Sequence, residues 1–191
     1  QVNSLMTLEE MQLKIEQAKK INLNREITID RGIAGGINPS HGKETYYQVE
    51  CIEKIIQKYR EGKQKMLVHM ATGLGKTRTM VALTKTLLEY NMAKRALFVV
   101  DRVMLAEQAI NDGFSLISKE YSAVRITSGN YRQYKNAQVH VIVIDTLENI
   151  YSNIPSNFYD LIIVDECHRS ININRKLIFD HFLCPRIGLT A

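Results

Sequence analysis

The feature that most constrains this chain is a short loop, Gly73-Leu74-Gly75-Lys76-Thr77, set between an apolar run and a helical pattern. The apolar run Met66-Leu67-Val68 predicts a strand, and the residues from Met80 onward predict a helix. A glycine-containing loop between a strand and a helix is the setting that a phosphate-binding loop requires. The sequence therefore predicts a phosphate-binding site at this loop.

Each residue type in the loop suits that chemistry. Gly73 and Gly75 let backbone N–H groups close around an anion because no Cβ stands in the way. The helix that follows directs its positive end at the same point. Lys76 would reach the β- and γ-phosphates of a nucleotide, and the Thr77 hydroxyl would ligate Mg²⁺. The motif departs from its usual template at Met70, where glycine is expected. The alternative, a chance glycine turn before a helix, is disfavoured by the elements on either side.

Size and composition fit one ordinary domain with a sizeable core. The chain has 191 residues, of which 45% are hydrophobic, and a net charge of +5. That charge is compatible with a polyanionic partner, but many basic proteins bind no nucleic acid. The sequence has no apolar run of membrane-spanning length and no signal-peptide pattern. Cys51, Cys167 and Cys184 show no zinc spacing. We therefore expect a cytoplasmic protein with reduced thiols and no membrane partner.

The first part of the chain predicts a helix and a linker. Thr7-Leu8-Glu9-Glu10 has the pattern of a capping box, and apolar residues then recur at helical spacing up to Ala18. Residues 30–45 are rich in glycine and predict a linker. We expect an N-terminal helix and linker over 1–45 and the main domain over 46–191. Because the chain starts at Gln1 and ends directly after an apolar strand, we also expect a piece of a longer protein.

From residue 46 the pattern alternates between helices and continuous apolar strands. Such strands separated by helices predict an α/β fold with a parallel sheet buried on both faces. The predicted helices cover residues 46–59, 77–90, 103–110 and 147–151, and the predicted strands cover 66–68, 96–100, 124–126, 139–144, 161–164 and 187–190.

Two carboxylates follow a predicted strand directly. Ligands of parallel sheets bind beyond the carboxyl ends of the strands, so Asp165 and Glu166 are expected at the edge where the phosphate-binding loop lies. Asp165 can hold Mg²⁺ directly or through water, and Glu166 can orient and deprotonate an attacking water. Asp-Glu alone is weak evidence, since carboxylates often solvate a strand end. Together with the loop the pair predicts nucleotide hydrolysis.

These residues resemble the motifs of superfamily-two helicases and translocases. The resemblance covers residues 46–191 and implies the first RecA-like domain of a P-loop NTPase, truncated after motif III. Motif I is matched by residues 70–77, motif II by Asp165-Glu166-Cys167-His168, the start of motif III by Gly188-Leu189-Thr190-Ala191, motif Ia by residues 97–102, and the adenine-reading glutamine motif by Tyr47-Gln48.

Two segments carry a narrower resemblance: motif II extended by Arg169 and Ser170, and Val100-Asp101-Arg102 of motif Ia. Both look like the motor subunit of type I restriction endonucleases. This resemblance implies ATP and Mg²⁺ as cofactors and duplex DNA as partner. It also implies a second RecA-like domain in the same full-length chain and the modification and specificity subunits of a restriction complex.

The resemblance also implies roles for single residues. Gln48 would read the adenine edge, although it could instead be an ordinary residue at a helix start. His168 and Thr190 would couple the nucleotide site to nucleic acid. The implied nucleotide-binding set is Gln48, Thr72, Gly73, Leu74, Gly75, Lys76 and Thr77; the implied Mg²⁺ ligands are Thr77 and Asp165; and the implied catalytic residues are Lys76, Asp165 and Glu166.

Nucleic-acid contacts are implied at Arg102 and, beyond it, at Thr127, Ser128 and Gly129, because cationic and hydroxyl donors hold phosphates without reading sequence. Arg102 could equally be a solvated charge. Asp145 stands where the family segment usually carries Gln, so no nucleic-acid contact is assigned to it. We expect Cys167 to be a small buried residue and His140 to be a packing residue.

The function that these residues favour is an ATP-dependent translocase domain that moves along duplex DNA. The alternatives are another superfamily-two helicase acting on RNA or single strands, and a nucleotide-binding switch without motor activity. We expect the isolated domain to bind ATP but to hydrolyse it very slowly. The reason is that an arginine finger, worth about 10³–10⁵ in rate, would come from the second domain. No nuclease constellation is identifiable in the sequence.

Overall fold

Within the part of the chain that the structure describes, six strands form one sheet in which every pairing is parallel. The computed structural model describes residues 7–9, 11, 26–35, 46–166 and 173–191. The strands are β1 (Lys65–His69), β2 (Ala96–Val100), β3 (Ala123–Ile126), β4 (Val139–Val143), β5 (Leu161–Val164) and β6 (Arg186–Thr190), in the spatial order β1-β6-β5-β2-β4-β3.

Helices cover both faces of this sheet, as the continuous apolar strands predicted. Among the residues that the structure describes, no helix combines the length and apolar character that crossing a membrane requires. The helices are α1 (Arg31–Ala34), α2 (Tyr46–Arg60), α3 (Lys76–Glu89), α4 (Val103–Gln108), α5 (Ile144–Ile150) and α6 (Ile173–His181), with a π-helical turn (Ala109–Gly113) and a 3₁₀ turn (Phe114–Ile117) after α4 and a 3₁₀ turn (Tyr151–Asn153) after α5.

The strands divide the core into two halves because successive side chains point to opposite faces. In β2, Phe98 and Val100 pack with α2, α3 and the segment after α4, whereas Leu97 and Val99 pack with α5 and α6. His140 lies on the second face, buried among aromatic rings, so its expected packing role is confirmed. All strand residues of β2, β4 and β5 are buried, which explains why their apolar runs are continuous.

Part of the predicted linker belongs to the folded domain. Ile29, Ile33 and Ala34 are buried in the first core half. Asp30 caps α1 by accepting a hydrogen bond from the Gly32 N–H at 2.9 Å, and its other oxygen lies 2.9 Å from Lys85 Nζ of α3. The remaining linker residues and most of the predicted N-terminal helix lie outside the described residues. The boundary at residue 46 stays a prediction.

Several elements differ from the sequence-based expectation. Helix α6 was missed, although Ile178 and Phe182 lie four residues apart and are both buried. Strand β4 ends one residue early because Ile144 opens α5 instead of extending the strand. The apolar run continues through this junction, so the sequence pattern alone cannot separate strand from helix there. Helix α4 ends at Gln108 and continues as the π-helical turn.

The parallel arrangement brings all six carboxyl ends to one edge of the sheet. The ends of β1, β6 and β5 lie side by side in one half of this edge, and those of β2, β4 and β3 lie in the other half. We call this the carboxyl edge. It carries the segments that the sequence analysis singled out.

Candidate functional site

The phosphate-binding loop connects β1 to α3, as predicted. The Met70 N–H donates to the Thr190 carbonyl oxygen at 2.9 Å, which extends the β1–β6 ladder by one bond. Gly73 and Gly75 have φ angles of 82° and 80°, in the left-handed region that glycine adopts at no steric cost. Helix α3 begins at Lys76, so its N-terminal N–H groups face the loop.

Gln48 is buried against this loop. Gln48 is 8% exposed, and its Nε2 donates to the Leu74 carbonyl oxygen at 2.8 Å. A Cβ at Gly75 would collide with the same Gln48 amide nitrogen. Gly75 is thus required twice, by its φ angle and by this contact. The Gln48 amide supports the loop, and its predicted contact with adenine stays a prediction.

Met70 explains how the chain departs from the usual motif. Its side chain is buried in the core rather than turned to solvent. Its sulfur lies 4.0 Å from the Thr79 hydroxyl, which also donates to the Gly75 carbonyl oxygen at 3.0 Å. A residue larger than glycine fits at position 70 because its side chain fills core volume, whereas Thr72 and Gly73 of the loop are exposed.

Asp165 and Glu166 follow β5 directly, as predicted, and the backbone holds them in a tight turn. The Asp165 N–H donates to the Val99 carbonyl oxygen at 2.8 Å, and Asp165 Oδ1 accepts from the Glu166 N–H at 3.0 Å. Glu166 has a φ of 49°, which is uncommon for a residue with a side chain and costs free energy. Burial raises the pKa of Asp165 above its usual value.

The loop and the carboxylates meet across the carboxyl edge. Lys76 Nζ donates to Glu166 Oε1 at 3.1 Å, although the two residues are 90 positions apart in the sequence. Both side chains are largely buried, so the attraction between them is screened less than on the surface. The structure therefore brings together the predicted phosphate-binding lysine and the predicted general base.

Thr77 and Asp165 are the side chains expected to hold Mg²⁺. Within the described ranges, no group of three or more His, Cys, Asp and Glu side chains is placed to hold a metal ion. Thr77 and Asp165 offer one hydroxyl and one carboxylate, and Mg²⁺ is usually bound by one or two protein carboxylates together with substrate phosphates and water. The Thr77 methyl lies against Gly113 of the π-helical turn, where an added Cβ would come to 3.0 Å. Sequence reasoning missed this support for Thr77.

The predicted nucleic-acid residues lie in the other half of the carboxyl edge. Arg102 precedes α4 and has a side chain that is 70% exposed, with Nε 3.7 Å from Asp101 Oδ2. Thr127, Ser128 and Gly129 form an exposed turn after β3, in which the Thr127 N–H donates to Asn130 Oδ1 at 2.8 Å. Thr190 lies beside the phosphate-binding loop. His168 and Cys167 lie outside the described residues.

Comparison with known proteins places this arrangement in a family. The family described as "Type III restriction enzyme, res subunit" matches residues 41–191. The endonuclease subunit of the type I restriction enzyme EcoAI from Escherichia coli is 32% identical over 152 residues, covering 76% of this chain and 19% of that protein. The corresponding EcoKI subunit from Escherichia coli strain K12 is 29% identical over 173 residues, covering 76% and 15%. The chain thus spans less than a fifth of either relative.

Solved structures agree with these matches. A fragment described as the HsdR subunit of a type I restriction enzyme from Vibrio vulnificus YJ016 matches with a TM-score of 0.59 and 26% identity, covering 76% of this chain and 25% of that one. The SWI2/SNF2 ATPase core of Sulfolobus solfataricus, solved with dsDNA, matches with a TM-score of 0.66 and 14% identity, covering 87% and 34%. The second match shows the fold alone, and the predicted RecA-like α/β fold is confirmed. The chain belongs to the family of the type III restriction enzyme res subunit, and it is a superfamily-two helicase domain that resembles the R subunit of type I restriction enzymes.

Proposed function

We propose that this chain is the first ATP-hydrolysing domain of a motor that moves along duplex DNA, as the motor subunit of a type I restriction endonuclease would. The observation that carries the proposal is the 3.1 Å contact between Lys76 Nζ and Glu166 Oε1. A phosphate-binding lysine and a general base must both reach one phosphoryl group and its attacking water, and this contact puts the two side chains in one place. The restriction-enzyme relatives support the choice among ATP-driven functions.

The chemistry follows from the residues at this contact. Thr77 and Asp165 would hold Mg²⁺, which would neutralise charge on the phosphates. Lys76 and the backbone N–H groups from Gly73 to Thr77 would bind and orient the β- and γ-phosphates. Glu166 would orient the attacking water and accept its proton. The turn with a φ of 49° at Glu166 places its Cα directly after β5, and the contact with Lys76 holds its carboxylate, which together support a positioning role for the turn.

The DNA part of the proposal is supported by the same edge of the sheet. Arg102 and the turn from Thr127 to Gly129 are exposed beyond the carboxyl ends of β2 and β3. Contacts from such residues would go to phosphates, so binding should be independent of sequence and weakened by salt. A second RecA-like domain of the full-length chain would close on the nucleotide. Modification and specificity subunits would be further partners.

The experiment is to measure ATP hydrolysis by the full-length native protein with duplex DNA, single-stranded DNA and RNA of equal nucleotide content. We expect Mg²⁺-dependent hydrolysis stimulated most strongly by duplex DNA. Stronger stimulation by RNA or single strands would favour the helicase alternative. Nucleotide binding without stimulation by any nucleic acid would favour a nucleotide-binding switch.

A further inference from the structure

An ion pair that the sequence did not suggest lies at the carboxyl end of β4. Arg175 Nη2 of α6 donates to Asp145 Oδ1 in the first turn of α5 at 2.8 Å. Arg175 Nε also lies 4.0 Å from Glu148 Oε2, one turn further along α5. The guanidinium of a residue that follows motif II is thereby held at a strand end 30 positions earlier in the chain.

The position of this pair within the sheet is informative. Strand β4 lies between β2 and β3, so its carboxyl end is flanked by Arg102 on one side and by Thr127, Ser128 and Gly129 on the other. Neighbouring strands are about 4.8 Å apart, so these three strand ends cover roughly 10 Å. Arg175, held by Asp145 at the end of β4, is therefore attached to the strand end that lies between the residues proposed to hold DNA phosphates.

The carboxylates at this strand end would repel a DNA phosphate in the present arrangement. The Asp145 side chain is 72% exposed and that of Glu148 is 46% exposed, so two carboxylates face solvent there. The Arg175 side chain is 21% exposed and presents its planar donors to Asp145. The same donor geometry binds carboxylate and phosphate equally well. An ion pair with so exposed a carboxylate adds little to stability, so exchanging one anion for another costs little.

We propose that Arg175 is a further phosphate-contacting residue of the DNA surface, and that Asp145 holds it and competes with DNA for it. The proposal rests on the proposed function, since it assumes that duplex DNA runs along the carboxyl edge. Binding would exchange the Asp145 carboxylate for a backbone phosphate on the Arg175 guanidinium. Asp145 would thus keep the arginine oriented while lowering the affinity for DNA.

The chain offers a matched control at the opposite edge of the sheet. Arg186 Nη2 lies 2.9 Å from Asp180 Oδ1, with side-chain exposures of 19% and 40%. Arg186 opens β6, so this pair lies at the amino ends of the strands, away from the proposed DNA path. Variants of the two pairs remove the same charges and a similar contact at opposite edges.

The test measures duplex DNA affinity of the full-length native protein as a function of salt concentration. The variants are R175Q, D145N, the double variant, R186Q and D180N, each checked by thermal unfolding. We expect R175Q to lower the slope of log K against log salt by about 0.9, the change for one lost phosphate contact. We expect D145N to tighten binding, with most of that gain absent in the R175Q background. R186Q and D180N should match the wild type.

The outcomes separate the two proposals. A wild-type protein that does not bind duplex DNA would overturn the proposed function itself. If the wild type binds but R175Q keeps its salt slope, Arg175 is a structural residue and the inference fails alone. An equal gain from D145N with and without Arg175 would show simple charge repulsion and would also overturn it. Should R175Q fail to fold, E148Q replaces it as the comparison, since it removes a neighbouring negative charge and leaves the Arg175–Asp145 pair in place. D145N should then tighten binding more than E148Q does, and equal gains would overturn the inference.

Discussion

At the scale of single residues, the contact between Lys76 and Glu166 is central to the proposed chemistry. Each has a different proposed partner in the reaction, a phosphate for the lysine and a water for the glutamate. Their contact at 3.1 Å compensates two largely buried charges, which would otherwise be costly. Nucleotide phosphates would compete with Glu166 for the same ammonium group. The two residues should therefore fail in different ways when replaced.

We predict that Glu166→Gln keeps nucleotide binding and loses hydrolysis, whereas Lys76→Ala loses both. The amide introduced by Glu166→Gln would retain the shape and an acceptor for Lys76 but would not be a base, so hydrolysis should fall by about 10²–10⁴. Lys76→Ala removes the ammonium group that binds the phosphates. Nucleotide titration and phosphate-release assays on the full-length protein measure the two effects.

Lys85→Ala is the control for loss of an ion-paired lysine from the same helix. Lys85 pairs with Asp30 and Glu120, away from the phosphate-binding loop. The Lys85→Ala variant should leave the nucleotide dissociation constant unchanged. Hydrolysis by Glu166→Gln at the wild-type rate would remove Glu166 from its proposed role.

A second prediction concerns His140 and pH. Its Nε2 lies 2.9 Å from the Tyr134 carbonyl oxygen and must donate to it, so Nδ1 accepts from the Tyr159 hydroxyl at 2.8 Å in the neutral ring. Burial lowers the pKa of His140, and the positive charge of Arg95 acts in the same direction. Histidine has a pKa of about 6.5 in the unfolded chain. Below that pH, the unfolded chain binds the proton more readily than the folded protein does. Stability should therefore fall as pH drops through that value.

Denaturant unfolding of the domain between pH 8 and pH 5 measures this effect. The contribution of His140 is at most about 1.4 kcal/mol per pH unit in the window between its folded and unfolded pKa values. His140→Gln should be less stable at high pH but should lose that part of the slope. An identical slope in the variant would contradict the account.

At the scale of elements, the phosphate-binding loop is held from two sides. Strand β6 binds the loop through the Thr190 carbonyl, and α2 binds it through the Gln48 amide. The fixed loop is ready to receive an anion without first ordering its backbone. Its shape depends on the two glycines in unequal ways, because among the described residues a side chain, that of Gln48, lies close to Gly75 and none lies close to Gly73.

We predict that Gly75→Ala impairs nucleotide binding more than Gly73→Ala does. Both changes place a side chain at a positive φ, which costs on the order of 1 kcal/mol. Gly75→Ala also drives a methyl into the Gln48 amide, whereas none of the residues that the structure describes has an atom within 4 Å of a Cβ at Gly73. Nucleotide titration measures the difference. Adding Gln48→Ala should relieve part of the Gly75→Ala defect, and the absence of any relief would contradict the proposed clash.

The accuracy of the sequence-based predictions also differs among elements. Strands β2 and β5 were predicted to the residue, since a buried parallel strand is a continuous apolar run bounded by polar residues. Helix α6 was missed because its apolar residues are few and its start follows a polar stretch. The Arg175–Asp145 pair could not be predicted, since it joins residues whose proximity depends on the whole fold. The proximity of the loop at residues 73–77 to Asp165 and Glu166 was predictable because each motif is local and parallel strands bring their carboxyl ends to one edge.

At the scale of the whole molecule, the carboxyl edge separates two tasks. The proposed nucleotide residues occupy the half formed by β1, β6 and β5, and the proposed DNA residues occupy the half formed by β2, β4 and β3. The Asp165 N–H donates to the carbonyl oxygen of Val99, the residue before the last of β2, so the two halves touch at the proposed site of hydrolysis. Movement along DNA would require a second domain that opens and closes on this edge.

We predict that the isolated domain binds ATP but turns it over very slowly. The phosphate-binding loop and the two carboxylates are in place, but the arginine finger proposed for the second domain would be missing. Such fingers contribute about 10³–10⁵ in rate. Comparing turnover per site in the domain and in the full-length protein, with duplex DNA present, checks this. Equal turnover in both would contradict it.

The central claim is movement along duplex DNA driven by ATP, and displacement of a DNA triplex tests it most directly. The full-length protein should displace a third strand bound ahead of it when ATP and Mg²⁺ are present. It should not do so with Glu166→Gln or without ATP, and it should leave a forked duplex paired. Phosphate contacts carry no base information, so displacement should not depend on the intervening sequence and should decline steeply with salt. Efficient separation of the forked duplex with no triplex displacement would contradict the account.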